Sequence, residues 1–292
     1  FFLFVKVSCL KIHHYLWFFE DSAMEKPNVS AFYKTLIEDL GFQPREKQDI
    51  ALQQLAKFAV EGTNDDLFLL KGFAGTGKTT IISSFVKNLW KIKKSGVLMA
   101  PTGRAAKVIA NYSKREAFTI HKKIYFPKKS GGSGIQFVLQ PNKHKNTIFI
   151  VDEASMIADH PGDSKNFDNG SLLDDLMEFV YSGHKCQLIF IGDTAQLPPV
   201  KMDMSPALDQ DKLRTGFFKE VGHIELDEVV RQSEESDILH NATLIREAIR
   251  EEFYESFKFE LGPKADVVRL VDGYEIMEAI QDAYHSLGNE ET

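Results

Sequence analysis

The stretch Leu67-Phe-Leu-Leu-Lys-Gly72-Phe-Ala-Gly-Thr-Gly77-Lys-Thr-Thr80 constrains the fold more than any other part of the chain. A short apolar run leads into a glycine-rich loop that fits G-x-x-x-x-G-K-[ST] from Gly72 to Thr79. Ile81, Ile82, Phe85 and Leu89 follow at helical spacing. Strand, loop and helix in that order make a phosphate cradle. Gly72, Gly75 and Gly77 let backbone N–H groups turn inward around anionic oxygens, and the helix N-terminus adds a favourable dipole. Ala74, Thr76 and Thr80 complete the cradle. Lys78 is expected to reach the β- and γ-phosphates of ATP, and Thr79 to hold Mg2+.

Three more short apolar runs follow: Val97–Ala100, Thr147–Val151 and Gln187–Ile191. Continuous apolar runs of this length suit strands buried on both faces of a parallel sheet. Helical segments are expected at about 78–94, 103–112 and 171–182, so strand and helix alternate as in an α/β lobe with helices on both faces. Functional residues of such a sheet gather at the carboxyl ends of its strands. Two stretches break the pattern. Residues 122–146 hold six lysines and no acidic residue. There the turn Ser130-Gly-Gly-Ser-Gly134 separates Lys122–Phe126 from Ile135–Leu139, which predicts an inserted basic β-hairpin. Residues 158–170 are polar and predict a surface loop. Beyond about 233 the pattern predicts a helix at Ile238–Phe253, a strand at Asp266–Val271 and a helix at Tyr274–Leu287.

Ile148-Phe-Ile-Val-Asp-Glu153 ends an apolar strand in paired carboxylates. Asp152 is expected to hold Mg2+ through its water shell, and Glu153 to orient and deprotonate an attacking water. An exposed acidic strand end is the plainer alternative. Leu188-Ile-Phe-Ile-Gly-Asp-Thr-Ala-Gln196-Leu-Pro-Pro-Val200 ends another strand in Gly-Asp, with an amide three residues on. A side chain touching a γ-phosphate converts its loss into movement, and Gln196 is placed to do so.

Six motifs stand in order: Gly72–Thr80, Ala100–Ala106, Thr119–His121, Asp152–Met156, Gly192–Gln196 and Glu228–Arg231. Together they resemble the motifs of superfamily 1B DNA helicases, the RecD-like and Dda-like group that moves 5′ to 3′, over roughly residues 40–290. The resemblance implies a RecA-like P-loop NTPase lobe that uses ATP and Mg2+ and binds single-stranded DNA and single-strand/duplex junctions. It also implies roles residue by residue. Gln48 would read the adenine edge. Pro101, Thr102 and Arg104 would grip the single-strand backbone without reading sequence. Thr119 and His121 match a second strand-contacting motif, although a lone histidine is as well explained as a satisfied surface or core residue. Arg231 would stabilise transition-state charge at the γ-phosphate. The basic hairpin falls where the family carries the pin that splits the duplex. Tyr125, Phe126 and Phe137 are the pin candidates, Phe137 the favoured one, and anchoring the hairpin to the lobe is the alternative for the other two.

The net charge of −7 excludes a uniformly basic nucleic-acid coat, so DNA binding must come from a local surface. Cys9 and Cys186 make neither a disulfide framework nor a metal cluster, which suits a reducing cytoplasm. Phe1–Phe19 is aromatic but broken by Lys6, Lys11, His13 and His14, so no membrane span is expected. The first methionine is Met24, and residues 1–23 read as an upstream extension. The expected organisation is then an N-terminal helical segment at 24–63, the motor lobe at 64–232 with its hairpin at 122–146, and a helical connection at 233–292. That connection would lead to a second motor lobe whose motifs the chain does not contain. The same motor residues would also serve a subunit of a nuclease or recombination complex, or a one-lobe nucleotide-binding module without unwinding activity.

Overall fold

The computed structural model describes residues 28–129, 135–158, 171–228, 236–251, 258–261 and 267–288. The chain divides into two compact units, residues 1–227 and 228–292. Strands β1 (Asp66–Gly72), β2 (Ser95–Ala100), β3 (Ala117–Thr119), β4 (Tyr125–Lys129), β5 (Ile135–Leu139), β6 (Thr147–Val151), β7 (Gln187–Gly192) and β8 (Glu220–Leu226) all lie in the first unit. Six of them form one sheet in the order β3-β2-β6-β7-β1-β8, with every pairing parallel. All six carboxyl ends therefore share one edge.

Period-two alternation sends side chains into two apolar layers. Phe68, Leu70, Ile148, Ile150, Ile189 and Ile191 enter one layer. Helices α1 (Val29–Leu40), α2 (Glu46–Glu61), α3 (Lys78–Asn88) and α4 (Gly103–Ser113) cover that side. Leu67, Leu69, Phe149, Val151, Leu188 and Phe190 enter the other layer, under α5 (Ile120–Ile124), α6 (Leu172–Tyr181) and α7 (Gln210–Phe217). The sheet is thus covered on both faces, and the continuous apolar runs of the sequence are its middle strands. The sequence pattern does not single out β3 or β8. Strand β8 is an edge strand with a mixed pattern of exposed and buried positions, so it lacks the continuous apolar signature.

Strands β4 and β5 pair antiparallel as a separate hairpin, with Tyr125 opposite Leu139 and Pro127 opposite Phe137. Its first strand is Tyr125–Lys129, not Lys122–Phe126. The Thr119 hydroxyl accepts the Lys122 N–H and starts a helical turn, and Ile120 and Ile124, four residues apart, are both fully buried. Local helical spacing therefore takes residues 120–124 out of the strand. The glycine-rich turn 130–134 lies outside the described residues.

The second unit contains α8 (Asp237–Arg250) and α9 (Gly273–Gly288). The buried amide of Asn241 brackets the backbone of Glu260, donating to its carbonyl at 2.8 Å and accepting its N–H at 2.7 Å. No strand forms over the described part of 266–271, where Val268 and Val271 are 70% and 77% exposed. β-Propensity gains nothing there, because an extended segment needs a partner edge and a face to bury.

Candidate functional site

The phosphate loop leaves β1 at Gly72. A Cβ at Gly72 would lie 2.6 Å from the Leu226 carbonyl oxygen, so the end of β8 closes on the loop only because this residue has no side chain. Gly75 and Gly77 have φ of 83° and 90°, in the left-handed region that favours glycine, and Gly77 caps α3. The first N–H groups of α3 therefore point out of the helix end without intrahelical partners. The Lys78 ammonium donates to the carbonyls of Gly72 at 2.5 Å and Phe73 at 2.8 Å, lying along the loop. Thr76 is fully buried, Thr79 half-buried and Thr80 exposed. Gln48 reaches the loop from α2. Its buried amide donates to the Thr76 carbonyl at 2.9 Å and accepts the Arg45 N–H at 3.1 Å. Gln48 thus ties the start of α2 to the loop.

The paired carboxylates follow β6. The Asp152 N–H donates to the Met99 carbonyl at 2.9 Å, and the Asp152 carboxylate accepts the Glu153 N–H at 3.0 Å. Glu153 sits at φ 55°, a conformation costly for a residue with a Cβ and concentrated at working sites. Burial pushes the Asp152 carboxyl up to about 6, and the neighbouring Glu153 adds to the rise. The Glu153 N–H and the Lys78 ammonium act against it, which places Lys78 and Asp152 within electrostatic reach. A carboxylate held this way gains from a further cation, and the loop presents backbone donors and an ammonium to an anion. Nucleotide phosphates with a divalent metal fit this donor set, with Thr79 and Asp152 on the metal side.

Two further side chains bind the site together, and the candidate set from sequence omits both. Asp193, 4% exposed at the end of β7, accepts the Ala74 N–H of the phosphate loop at 3.0 Å and the Ala195 N–H at 2.9 Å. Ser155, 2% exposed, donates to the Gln196 amide oxygen at 2.7 Å. Because β7 lies between β1 and β6, its carboxyl end touches the loops that follow both. A charged residue closing a fully apolar strand was the available signal for Asp193. Ser155 gave none.

Pro101 and Thr102 follow β2, and Thr119 ends β3, at the same edge as the phosphate loop. The Thr102 hydroxyl accepts the Ala105 N–H at 3.2 Å and caps α4, whose second residue is the exposed Arg104. His121 is exposed on α5, its ring 5.8 Å from that of Tyr125. Tyr125 is 6% exposed, and its hydroxyl donates to the fully buried Asp175 carboxylate of α6. It therefore roots the hairpin in the lobe. Phe126 and Phe137 are 40% and 36% exposed. Arg231 lies outside the described residues.

A family model described as an AAA domain (AAA_19) matches residues 56–202, half of the chain. The chain belongs to this family. The chain is 29% identical over 198 residues to the ATP-dependent RecD2 DNA helicase of Deinococcus radiodurans, covering 68% of this chain and 23% of that protein. It is 31% identical over 135 residues to the ATP-dependent DNA helicase dda of Enterobacteria phage T4, covering 45% and 28%. It is also 27% identical over 176 residues to the uncharacterized protein R530 of Acanthamoeba polyphaga mimivirus, covering 53% and 33%. A solved structure of a Bacteroides Pif1 helicase in complex with ADP-AlF3 and ssDNA is similar with a TM-score of 0.42 at 20% identity, covering 73% of this chain and 47% of that one. The chain thus spans between 23% and 33% of the length of these curated relatives. The AAA domain here is an α/β lobe carrying a small β-hairpin, and its similarity to RecD2 and dda supports a superfamily 1 helicase motor domain.

Proposed function

We propose that this chain is the ATP-hydrolysing motor lobe of a 5′-to-3′ DNA helicase that translocates on single-stranded DNA. The observation that carries this reading is the cross-linking of three motifs at one sheet edge, through Asp193 to Ala74 and Ser155 to Gln196. Bound ATP with Mg2+ supplies a phosphoanhydride whose charge the metal partly neutralises. Lys78 and the loop N–H groups hold the phosphates, and Thr79 and Asp152 hold the metal. Glu153 accepts a proton from the attacking water at its carboxylate. Gln196 senses the γ-phosphate, and Arg231 stabilises charge beside it. Gln48 positions the loop and faces the base. Pro101, Thr102, Arg104, Thr119 and His121 hold the strand backbone, and Phe137 works at the duplex junction. A second motor lobe and, in some settings, nuclease or recombination subunits are the partners this role calls for. A cytoplasmic location suits it, and no described helix is long and apolar enough to cross a membrane.

The test is single-strand-stimulated ATP hydrolysis by the full-length protein. Lys78→Ala should abolish turnover, and Glu153→Gln should retain ATP binding while lowering turnover by about 10²–10⁴-fold. A Glu153→Gln enzyme that hydrolyses at the normal rate would overturn the assignment of the base. Displacement of a block from one DNA end only then reads the direction of travel.

A further inference from the structure

Charge is unevenly spread along this acidic chain. From Leu67 to Arg115 there are ten lysines and arginines and no aspartate or glutamate. Much of that charge lies on α3, α4 and the turns that end them. The two helices pack side by side and finish at the amino edge of the sheet, where the Arg115 guanidinium reaches the Lys87 carbonyl at 3.5 Å. Along α4, Arg104, Lys107, Val108, Asn111 and Tyr112 are all exposed and follow three-four spacing, so they form one stripe. The stripe starts beside Thr102, at the carboxyl edge, and runs about 16 Å to the opposite edge. Tyr112 ends it, 60% exposed, and Trp90 stands 65% exposed on the turn that closes α3.

Cations near helix C-termini complement the dipole, which accounts for some of these lysines. It does not account for two large exposed aromatics beside them. Nor does it account for Lys93 and Lys114, which end the Leu89–Ile92 turn and α4 at φ of 58° and 54°. Glycine is the ordinary residue at such left-handed caps, and a lysine there carries a conformational cost. At both caps the chain keeps a long cation instead.

We propose that the exposed stripe of α4 and the Trp90–Lys93 turn form a further single-stranded DNA surface, which carries the strand from Thr102 and Arg104 to the amino edge of the sheet. This rests on the strand contacts in the proposed function. Tyr112 and Trp90 supply faces on which bases stack whatever their sequence, and Lys107, Lys91, Lys93, Lys114 and Arg115 supply phosphate charge. The surface is outside the nucleotide site and acts on affinity, not on chemistry.

The experiment measures binding of the full-length protein to oligothymidylates of about 8 and about 24 nucleotides, lengths on either side of a short groove's site size. Trp90→Ala with Tyr112→Ala should weaken the long oligonucleotide by roughly tenfold or more and leave the short one unchanged, as loss of base stacking requires. Arg115→Gln should lower the salt slope of the long oligonucleotide by about one, as loss of one phosphate contact requires. Both variants should bind ATP as the parent does, which controls for folding. Equal affinity of parent and double variant for the long oligonucleotide overturns the surface alone. A parent that binds neither oligonucleotide overturns the proposed function and this surface with it.

Discussion

The carboxyl edge of the sheet and the β4–β5 hairpin belong to the same unit but are held in opposite ways. At the sheet edge, side chains from distant segments bond to one another's loops: Gln48 to Thr76, Asp193 to Ala74, Ser155 to Gln196. The hairpin is rooted at its base, by Tyr125 on Asp175 and by Leu139 against the core, and its described surface carries the exposed aromatics Phe126 and Phe137. In the proposed function this edge places phosphate, metal and water together, and that task needs many mutual constraints. In the proposed function the hairpin meets a nucleic acid, and that role needs a firm root and an accessible surface.

The largest expected effect tests that root. Tyr125→Ala should destabilise the first unit by about 3–5 kcal/mol, by analogy with other buried aromatics. Tyr125→Phe should cost about 1–3 kcal/mol, because it leaves a buried carboxylate short of a donor. Chemical denaturation measures both. A Tyr125→Ala protein as stable as the parent would mean the hairpin is not anchored there.

Asp193→Asn tests the other side of the comparison. The substitution puts an amide in place of a carboxylate that accepts two backbone N–H groups, and it should weaken ATP binding by several-fold, about 1–2 kcal/mol. Stability should change less than with Tyr125→Ala. Equilibrium binding of a non-hydrolysable ATP analogue reads the first effect, and denaturation the second.

The pH response of the edge follows from Asp152. Its folded carboxyl titrates near 6 against an ordinary 3.8, so the folded state binds the extra proton between those values. That group's contribution to stability therefore falls as pH rises from about 4 to about 6. Metal binding has the opposite sign, since it requires the ionised form. Mg2+-dependent ATP affinity should climb as pH passes about 6, and Asp152→Asn should flatten that climb. A parent profile already flat from pH 5 to 7 would sever the link to Asp152.

The smallest effect on chemistry belongs to the hairpin surface. Phe137→Ala in the full-length protein should lower duplex unwinding while sparing DNA-stimulated ATP hydrolysis. Equal loss of both would make Phe137 part of the motor and blur the two regions.

Much of this contrast is legible in the amino-acid sequence. Strands buried on both faces leave continuous apolar runs, and Thr147–Val151 and Gln187–Gly192 declare themselves that way. The phosphate loop does so through glycines that its turns require. What stayed hidden depends on packing across the sequence. Edge strand β8 buries too little to show a run, and residues 120–124 satisfy a helical turn that the lysine-rich composition conceals. Val268 and Val271 look like strand residues because propensity is local, whereas a strand needs an edge to join. Ser155 is silent for the same reason: its partner lies 41 residues away.

The place of β7 between β1 and β6 has a consequence for how this edge can be rebuilt. Its carboxyl end carries a crossbar to each neighbour, one through Asp193 and one through Gln196. The three strands and their loops therefore behave as one cassette. Transplanting the phosphate loop alone into another scaffold would leave the Ala74 N–H without its carboxylate, and transplanting the acidic pair alone would leave Ser155 facing nothing. The smallest portable piece of this motor is the triplet, crossbars included.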